Sequence, residues 1–241
     1  MPRFYCPQPL AAGHTIALPD QVAHHAWVVR LQPGAALTLF NGDGGEYLAE
    51  LATLDKKGAS ARIVTFVDQE RELPYQVTLA QALPEASKMD WIIEKAVELG
   101  VAAVQPLAAQ RCVVRLTAER AGKKQAHWQG VIVAASEQSG RNRLASLGEL
   151  CQFEQWIGRA DMASCLLLTP RATQSLAAWS RATAPRAISL LIGPEGGYTQ
   201  QEEDAAMARG AIAVSMGPRI LRTETAALTA LAAIAATWGG M

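Results

Sequence analysis

The segment "LLIGPEGGYTQQEEDAAMARG", residues 190–210, sets three glycines and a proline between an apolar run and an acidic helix start. Gly193, Gly196 and Gly197 allow a ligand to approach the main chain closely, and Thr199 followed by Glu202 forms a capping box for the next helix. The turn then lies at the carboxyl end of a strand, where open α/β sheets bind their ligands. Phosphate is the usual occupant of such a turn. Here, however, Glu195 within it and Glu202, Glu203 and Asp204 after it oppose an anion and already occupy the positive end of the helix dipole. The glycine spacing also fits neither the dinucleotide nor the P-loop pattern. A cationic or zwitterionic ligand suits these charges. A turn that only reverses the chain is the alternative.

A second loop of the same kind occurs in "AVSMGPRILRTETAALTALAAIAATW", residues 213–238, where Met216-Gly217 ends a strand and Pro218 to Arg222 leads to a helix. Leu228, Leu231 and Ile234 recur at a spacing of three and give that helix an apolar face for burial or dimer packing. Arg219 and Arg222 beside so apolar a helix need an anionic partner, supplied either by a ligand or by Glu224.

The elements that hold these loops follow from the hydrophobic pattern. The first seventy residues read as strands and turns ("TIAL", "ALTLF", "GEYLAELATL", "ASARIVTFV"), with a hairpin signal at Asn41-Gly42 and one helix, "DQVAHHAWVVRL", capped by Asp20 and ended before Gly34. They predict a small β-barrel-like domain. From about residue 73 the chain alternates strand and helix: "VTLAQAL", "KMDWIIEKAVEL" closed by Gly100, "AVQPLA", "QAHWQGVIVAASEQ", "SCLLLT", "SLAAWSRA", "ISLLIG". Continuous apolar strands between helices predict a parallel sheet covered on both faces. The boundary falls near Glu72 to Pro74, giving domains 1–72 and 73–241.

Composition narrows the function less. Half of the 241 residues are hydrophobic, and Lys plus Arg balance Asp plus Glu at 22 each. Between Arg111 and Arg143, however, lies a local excess of five positive charges, suited either to a polyanion or to a solvated helix face. No apolar run reaches the roughly 18 residues that cross a bilayer, and "MPRFYCPQPL" lacks the apolar core of a signal peptide, so a cytoplasmic location and no membrane partner are expected. Cys6, Cys112, Cys151 and Cys165 show no C-x2-C spacing, and free buried thiols are expected rather than disulfides or a metal site.

Several stretches together carry a resemblance: "PRFY" at 2–5, His24-His25 with Arg30-Leu31, "GDGGEY" at 42–47, "KMDWIIEKAVELGV" at 88–101, "AASEQSGRNR" at 134–143, "LIGPEGGYT" at 191–199 and "MGPRILRTETAAL" at 216–228. With these, nearly the whole chain resembles the ribosomal RNA small subunit methyltransferase E (RsmE) family of the SPOUT superfamily. Departures are Cys112, Arg115 and Trp27. The resemblance implies an α/β fold in which an N-terminal PUA-like β-barrel precedes a SPOUT domain whose C-terminal segment forms a deep trefoil knot. It also implies a homodimer, S-adenosyl-L-methionine as methyl donor, no metal, and methylation of N3 of a uridine in 16S rRNA, free or in the small ribosomal subunit.

Carried onto this sequence, the cofactor site falls on Leu168, Thr169 and Pro170, on Gly193, Pro194, Glu195, Gly196 and Gly197, and on Met216, Gly217, Ile220, Leu221 and Arg222, with Leu168, Ile192, Met216 and Leu221 as apolar walls. Uridine N3 is a poor nucleophile until its proton leaves, so Arg222 is the candidate to stabilise negative charge on the base and Glu195 the candidate proton acceptor. Arg3, Arg30, Arg111, Arg115, Arg141 and Arg143 are expected on the RNA backbone. Two other readings fit parts of the chain: a non-catalytic RNA-binding module, and a nucleotide-binding enzyme acting on a small phosphorylated substrate.

Overall fold

The computed structural model describes residues 1–85 and 87–241. It divides into two compact units, Met1–Glu72 with Ser136–Leu144, and Leu73–Ala135 with Ala145–Met241. The return of Ser136–Leu144 to the first unit leaves no local mark in the sequence, and a single boundary near residue 72 does not anticipate it.

In the first unit, strands β1 (Arg3–Tyr5), β2 (Thr15–Ala17), β3 (Ala36–Phe40), β4 (Glu46–Asp55) and β5 (Gly58–Val67) form one sheet in the order β1-β3-β4-β5-β2. β1 runs parallel to β3, and the other pairs are antiparallel. Alternating side chains put Leu37, Leu39, Leu51, Ala61 and Ile63 in a shared core with Phe4, Cys6 and Leu18. Helix α1 (Asp20–Val28) adds Val22 and Ala23 to it. Asp20 is the first residue of α1 and Pro19 holds the cap position, so the aspartate acts on the helix dipole and makes no cap hydrogen bond. The β4–β5 hairpin closes through Lys56-Lys57, where the Lys57 N–H donates to Asp55 Oδ1 at 2.7 Å.

The second unit holds β6 (Val77–Ala82), β7 (Ala103–Ala108), β8 (Ser146–Leu147), β9 (Cys151–Gln152), β10 (Cys165–Leu168), β11 (Ile188–Ile192) and β12 (Ile212–Val214). They form a seven-stranded parallel sheet in the order β12-β10-β11-β6-β7-β8, with β9 also paired to β7. Such a sheet is buried on both faces, which explains the uninterrupted apolar runs of β10 and β11. Helices α2 (Lys88–Glu98) and α5 (Leu176–Ala182) pack on α7 (Thr223–Trp238), which lies against β6 and β11. Helix α6 (Gln200–Ala208) lies against β10, and α4 (Phe153–Arg159) against β7. Helix α3 begins at Ala118, seven residues before the stretch that its periodicity marks, and runs to Ser139. On α7, Leu231 and Ile234 are buried as the spacing predicts, while Leu228 is half-buried.

Candidate active site

Three loops leave the carboxyl ends of adjacent strands β10, β11 and β12 and meet around a cavity of about 230 Å³. Its apolar walls are Leu168, Ile192, Met216, Leu221 and Ala226, with Pro170 and Pro194 beside them. Ile220, which also lines it, is 86 % exposed.

The glycine turn is shaped by close backbone approach. A Cβ on Gly193 would sit 3.0 Å from the Tyr198 nitrogen and 3.1 Å from two Gly197 main-chain atoms, so the two limbs of the turn leave no room for a side chain. Gly197 adopts φ +64°, and its N–H donates to the Pro194 carbonyl at 2.8 Å. Burial holds the Tyr198 hydroxyl well above its ordinary pKa, so it stays protonated and donates to the Ile192 carbonyl at 2.9 Å. From α7, the buried Thr223 hydroxyl donates to the Gly193 carbonyl at 2.6 Å and accepts from Gln81 Nε2 at 2.9 Å. Arg111 donates to the carbonyls of Gly196 at 2.9 Å and Tyr198 at 3.4 Å.

Each acidic residue of the loop is answered by a donor. Glu202 completes the capping box with the Thr199 N–H and hydroxyl, and its other oxygen accepts from the Gln110 N–H at 2.8 Å. Glu203, buried on the cavity wall, accepts from Thr169 and pairs with Arg171 at 2.6 Å. Glu195 pairs with Lys88 at 2.6 Å and accepts from the Glu85 N–H at 3.1 Å. Partial burial raises the Glu195 pKa, but the hydrogen bonds from Lys88 and the backbone outweigh it and hold the carboxyl below its ordinary value. A carboxylate so held is a weaker proton acceptor than a free one. The lining counts Arg111, Arg171 and Arg219 against Glu195 and Glu203, so the site is not the acidic cup suggested by the turn alone.

Thirteen of the fourteen residues expected around the cofactor line this cavity: Leu168, Thr169, Pro170, Ile192, Gly193, Pro194, Glu195, Gly196, Gly197, Met216, Gly217, Ile220 and Leu221. Arg222 does not. It is the cap residue of α7, where its carbonyl accepts from the Ala226 N–H and its exposed side chain stands off the lining. Arg219, three residues earlier, is the arginine of that loop on the cavity, and it has no ion pair among the described residues. Sequence reasoning also did not place Arg171, Tyr198, Glu203, Thr223 and Ala226 on the lining. The capping box at Thr199 located the first turn of α6 but not the direction of its second glutamate.

The arginines expected on RNA separate into three groups. Arg3 and Arg141 are committed inside the first unit, in place of the phosphate contact expected of them. Arg3, its side chain 11 % exposed, pairs with Glu46 at 2.6 Å and lies over the Phe40 ring. Arg141, its side chain 4 % exposed, is bidentate to Glu72. Arg143 pairs with Glu70 at 3.0 Å but stays half exposed, and Arg111 braces the glycine turn. Arg30 and Arg115 are exposed, with no ion pair among the described residues. Of the seven basic residues from 111 to 143, Lys123, Lys124, Arg141 and Arg143 are ion-paired, and Arg111, Arg115 and Arg120 have no ion pair among the described residues.

Residues 71–235 match the family model of an RNA methyltransferase domain, and residues 18–64 match that of an RNA methyltransferase PUA domain. The chain is thus an RNA methyltransferase. The chain is 34 % identical over 235 residues to the ribosomal RNA small subunit methyltransferase E of Bacillus subtilis, covering 94 % of this chain and 92 % of that one. It is 35 % identical over 225 residues to the Synechocystis protein of the same name, covering 91 % and 72 %. The crystal structure of the Neisseria gonorrhoeae ribosomal RNA small subunit methyltransferase E bound to S-adenosyl methionine superposes with a TM-score of 0.93 at 40 % identity, covering 99 % of this chain and 98 % of that one. The chain belongs to the ribosomal RNA small subunit methyltransferase E family.

Among the described residues no group of three or more His, Cys, Asp or Glu is placed to hold a metal ion, and no helix is long and apolar enough to cross a membrane.

Proposed function

We propose that this chain transfers a methyl group from S-adenosyl-L-methionine to N3 of a uridine in 16S rRNA, with free rRNA or the small ribosomal subunit as substrate. The observation that carries this reading is the convergence of three strand-end loops on one cavity with apolar walls and open main-chain edges. The residues fit the donor: Leu168, Ile192, Met216 and Leu221 suit an adenine, and the missing side chain of Gly193 lets the turn close so that its main-chain edge lies on the cavity. The bound donor supplies an electrophilic methyl on a sulfonium.

The protein's own residues do the rest. Thr223 and Arg111 hold the turn in shape, which fixes the line of approach for an in-line displacement at carbon. Arg219 takes the role first assigned to Arg222: as an unpaired cation on the cavity, it stabilises the imide anion left when the uridine N3 proton departs to water. Glu195, tied to Lys88, anchors the turn instead of accepting that proton.

The same reading includes a PUA-like barrel in residues 1–72, a SPOUT domain in residues 73–241 with a C-terminal trefoil knot, a homodimer and a cytoplasmic location. The position of β10 between the later strands β11 and β12 is compatible with such threading. Calorimetry with S-adenosylhomocysteine and mass spectrometry of 16S rRNA from a deletion strain test the activity. Saturable binding and a missing methyluridine restored by the plasmid-borne gene are expected. Absence of both would return the chain to the RNA-binding or phosphosubstrate reading.

A further inference from the structure

Unit 1 carries eight lysine and arginine side chains, and most are neutralised internally. Arg3, Arg62, Arg71, Arg141 and Arg143 pair with Glu46, Glu50, Glu46, Glu72 and Glu70 respectively. Arg30, Lys56 and Lys57 have no ion pair among the described residues. Two of these three meet at one place. Lys56 and Lys57, at the tip of the β4–β5 hairpin, line a shallow groove with His24 and Trp27 of α1. Arg30 follows Trp27 by three residues, just past the end of α1.

Trp27 is 50 % exposed, comparable to Phe66 at 45 %, whereas Phe4 and Phe40 of the same unit are buried. Leaving an indole in water gives up hydrophobic stabilisation that burial would supply, and Val22 and Ala23 show that α1 has an inward face available. An outward tryptophan between unpaired cations combines a π face with phosphate-binding charge, the two components that readers of unpaired nucleic acid use.

From this we infer that the Trp27 groove is a docking site for an unpaired nucleotide of the RNA substrate, the base stacking on the indole and the flanking phosphates meeting Lys56 and Lys57. Asp20 and Asp55 also line the groove. Asp55 is engaged by the Lys57 N–H, and the two carboxylates confine phosphate to the lysine side and leave the floor to the base. The occupant is RNA, since every residue of the groove lies within the stretch matching the RNA methyltransferase PUA domain. This inference rests on the RNA methyltransferase reading and adds to it a specific hold on the substrate, remote in sequence from the three cavity loops.

The test uses the full chain and unmethylated small ribosomal subunits as substrate, with KM, kcat and salt dependence as readouts. Trp27→Ala is expected to raise KM by roughly tenfold, within the range for loss of one stacked base, with kcat unchanged. Trp27→Phe retains a ring and is expected to restore KM to within about threefold of the parent. The double variant Lys56→Ala with Lys57→Ala is expected to lower the slope of log KM against log salt by about 1.4, at roughly 0.7 per phosphate contact on a single strand. Because Trp27 is half exposed, Trp27→Ala is expected to melt with the parent, and S-adenosylhomocysteine binding measures the cavity independently. An unchanged KM in Trp27→Ala, with the parent active, overturns the groove alone and frees this surface for a protein partner. A parent that binds S-adenosylhomocysteine yet transfers no methyl to the subunits overturns the substrate reading and the groove with it.

Discussion

Gly193→Ala concentrates the argument for the cavity into one methyl group. Its Cβ would lie 3.0 Å from the Tyr198 nitrogen and 3.1 Å from the carbonyl carbon and Cα of Gly197, whereas ordinary contact begins near 3.4 Å. Three main-chain atoms must therefore give by about 0.3–0.4 Å, and none is the end of a flexible side chain. The Tyr198 hydroxyl and Thr223 tie the same few residues from two sides, so the turn opens only by loosening those bonds. Overpacking of this kind costs about 1–3 kcal/mol, which for a chain of this size lowers Tm by about 3–10 °C. If the donor needs the closed turn, the same energy reappears in its affinity, raising the Kd for S-adenosylhomocysteine by about 5- to 150-fold. Gly196→Ala is the control. Its Cβ would rest at 3.4 Å on the aliphatic stem of Arg111, at a φ outside the left-handed region, and it is expected to change stability by no more than about 0.5 kcal/mol and Kd by no more than about twofold. Calorimetry and thermal melts on both variants decide. A Gly193→Ala protein that binds and melts like its parent refutes the close-approach reasoning.

Further expectations concern single side chains. Arg219→Ala is expected to reduce kcat by about 10²- to 10³-fold with donor affinity largely kept, and Arg222→Ala to stay within a few-fold of the parent, as read by methyl incorporation. The reverse order would restore Arg222 to the mechanism. Thr223→Val removes the donor to the Gly193 carbonyl and the acceptor for Gln81 and is expected to cost about 1–3 kcal/mol, whereas Thr223→Ser keeps both bonds; urea unfolding of the pair measures the difference. The lowered pKa of Glu195 means that its ion pair stabilises the fold above the ordinary carboxylate value and that this contribution is lost as pH falls through the lowered one. Glu195→Gln should accordingly flatten the acid limb of a Tm–pH profile, and an unchanged limb would remove the Lys88 pair from the stability of the turn. Burial pushes the Cys165 thiol up to about 12, and Cys6 and Cys112 are buried too, so brief alkylation of the native protein should label Cys151 alone, as mass spectrometry would show.

How much of this was legible in the sequence depends on the range of the interaction concerned. The capping box at Thr199, the left-handed Gly100 after α2 and the apolar runs of β10 and β11 are set by neighbours within a few positions, and periodicity found them. The cavity loops were legible because each follows a strand end directly. Pairings across the chain were not. Lys88 with Glu195 spans 107 positions and Arg3 with Glu46 spans 43, and neither leaves a local signature that separates a ligand-facing charge from an internally paired one. The choice between Arg219 and Arg222 turned on which residue of an irregular loop faces inward, a matter of dihedral angles with no period to read. β1 was missed because its pairing with β3 lies some 35 residues away in sequence, and α4 was missed because, unlike the equally short α5 with its Ser175 cap, it has no side-chain cap to mark its start.

The Thr223 hydroxyl joins the first residue of α7 to the last residue before the glycine turn and to Gln81 on β6, so three stretches distant in sequence must be in place before any one of them has its final form. During synthesis the strands of the second unit can emerge and pair while the cavity still lacks a wall. On the proposed reading, a growing chain can meet RNA through its first unit but is inert toward the donor until the segment bearing Met216 to Ala226 has docked.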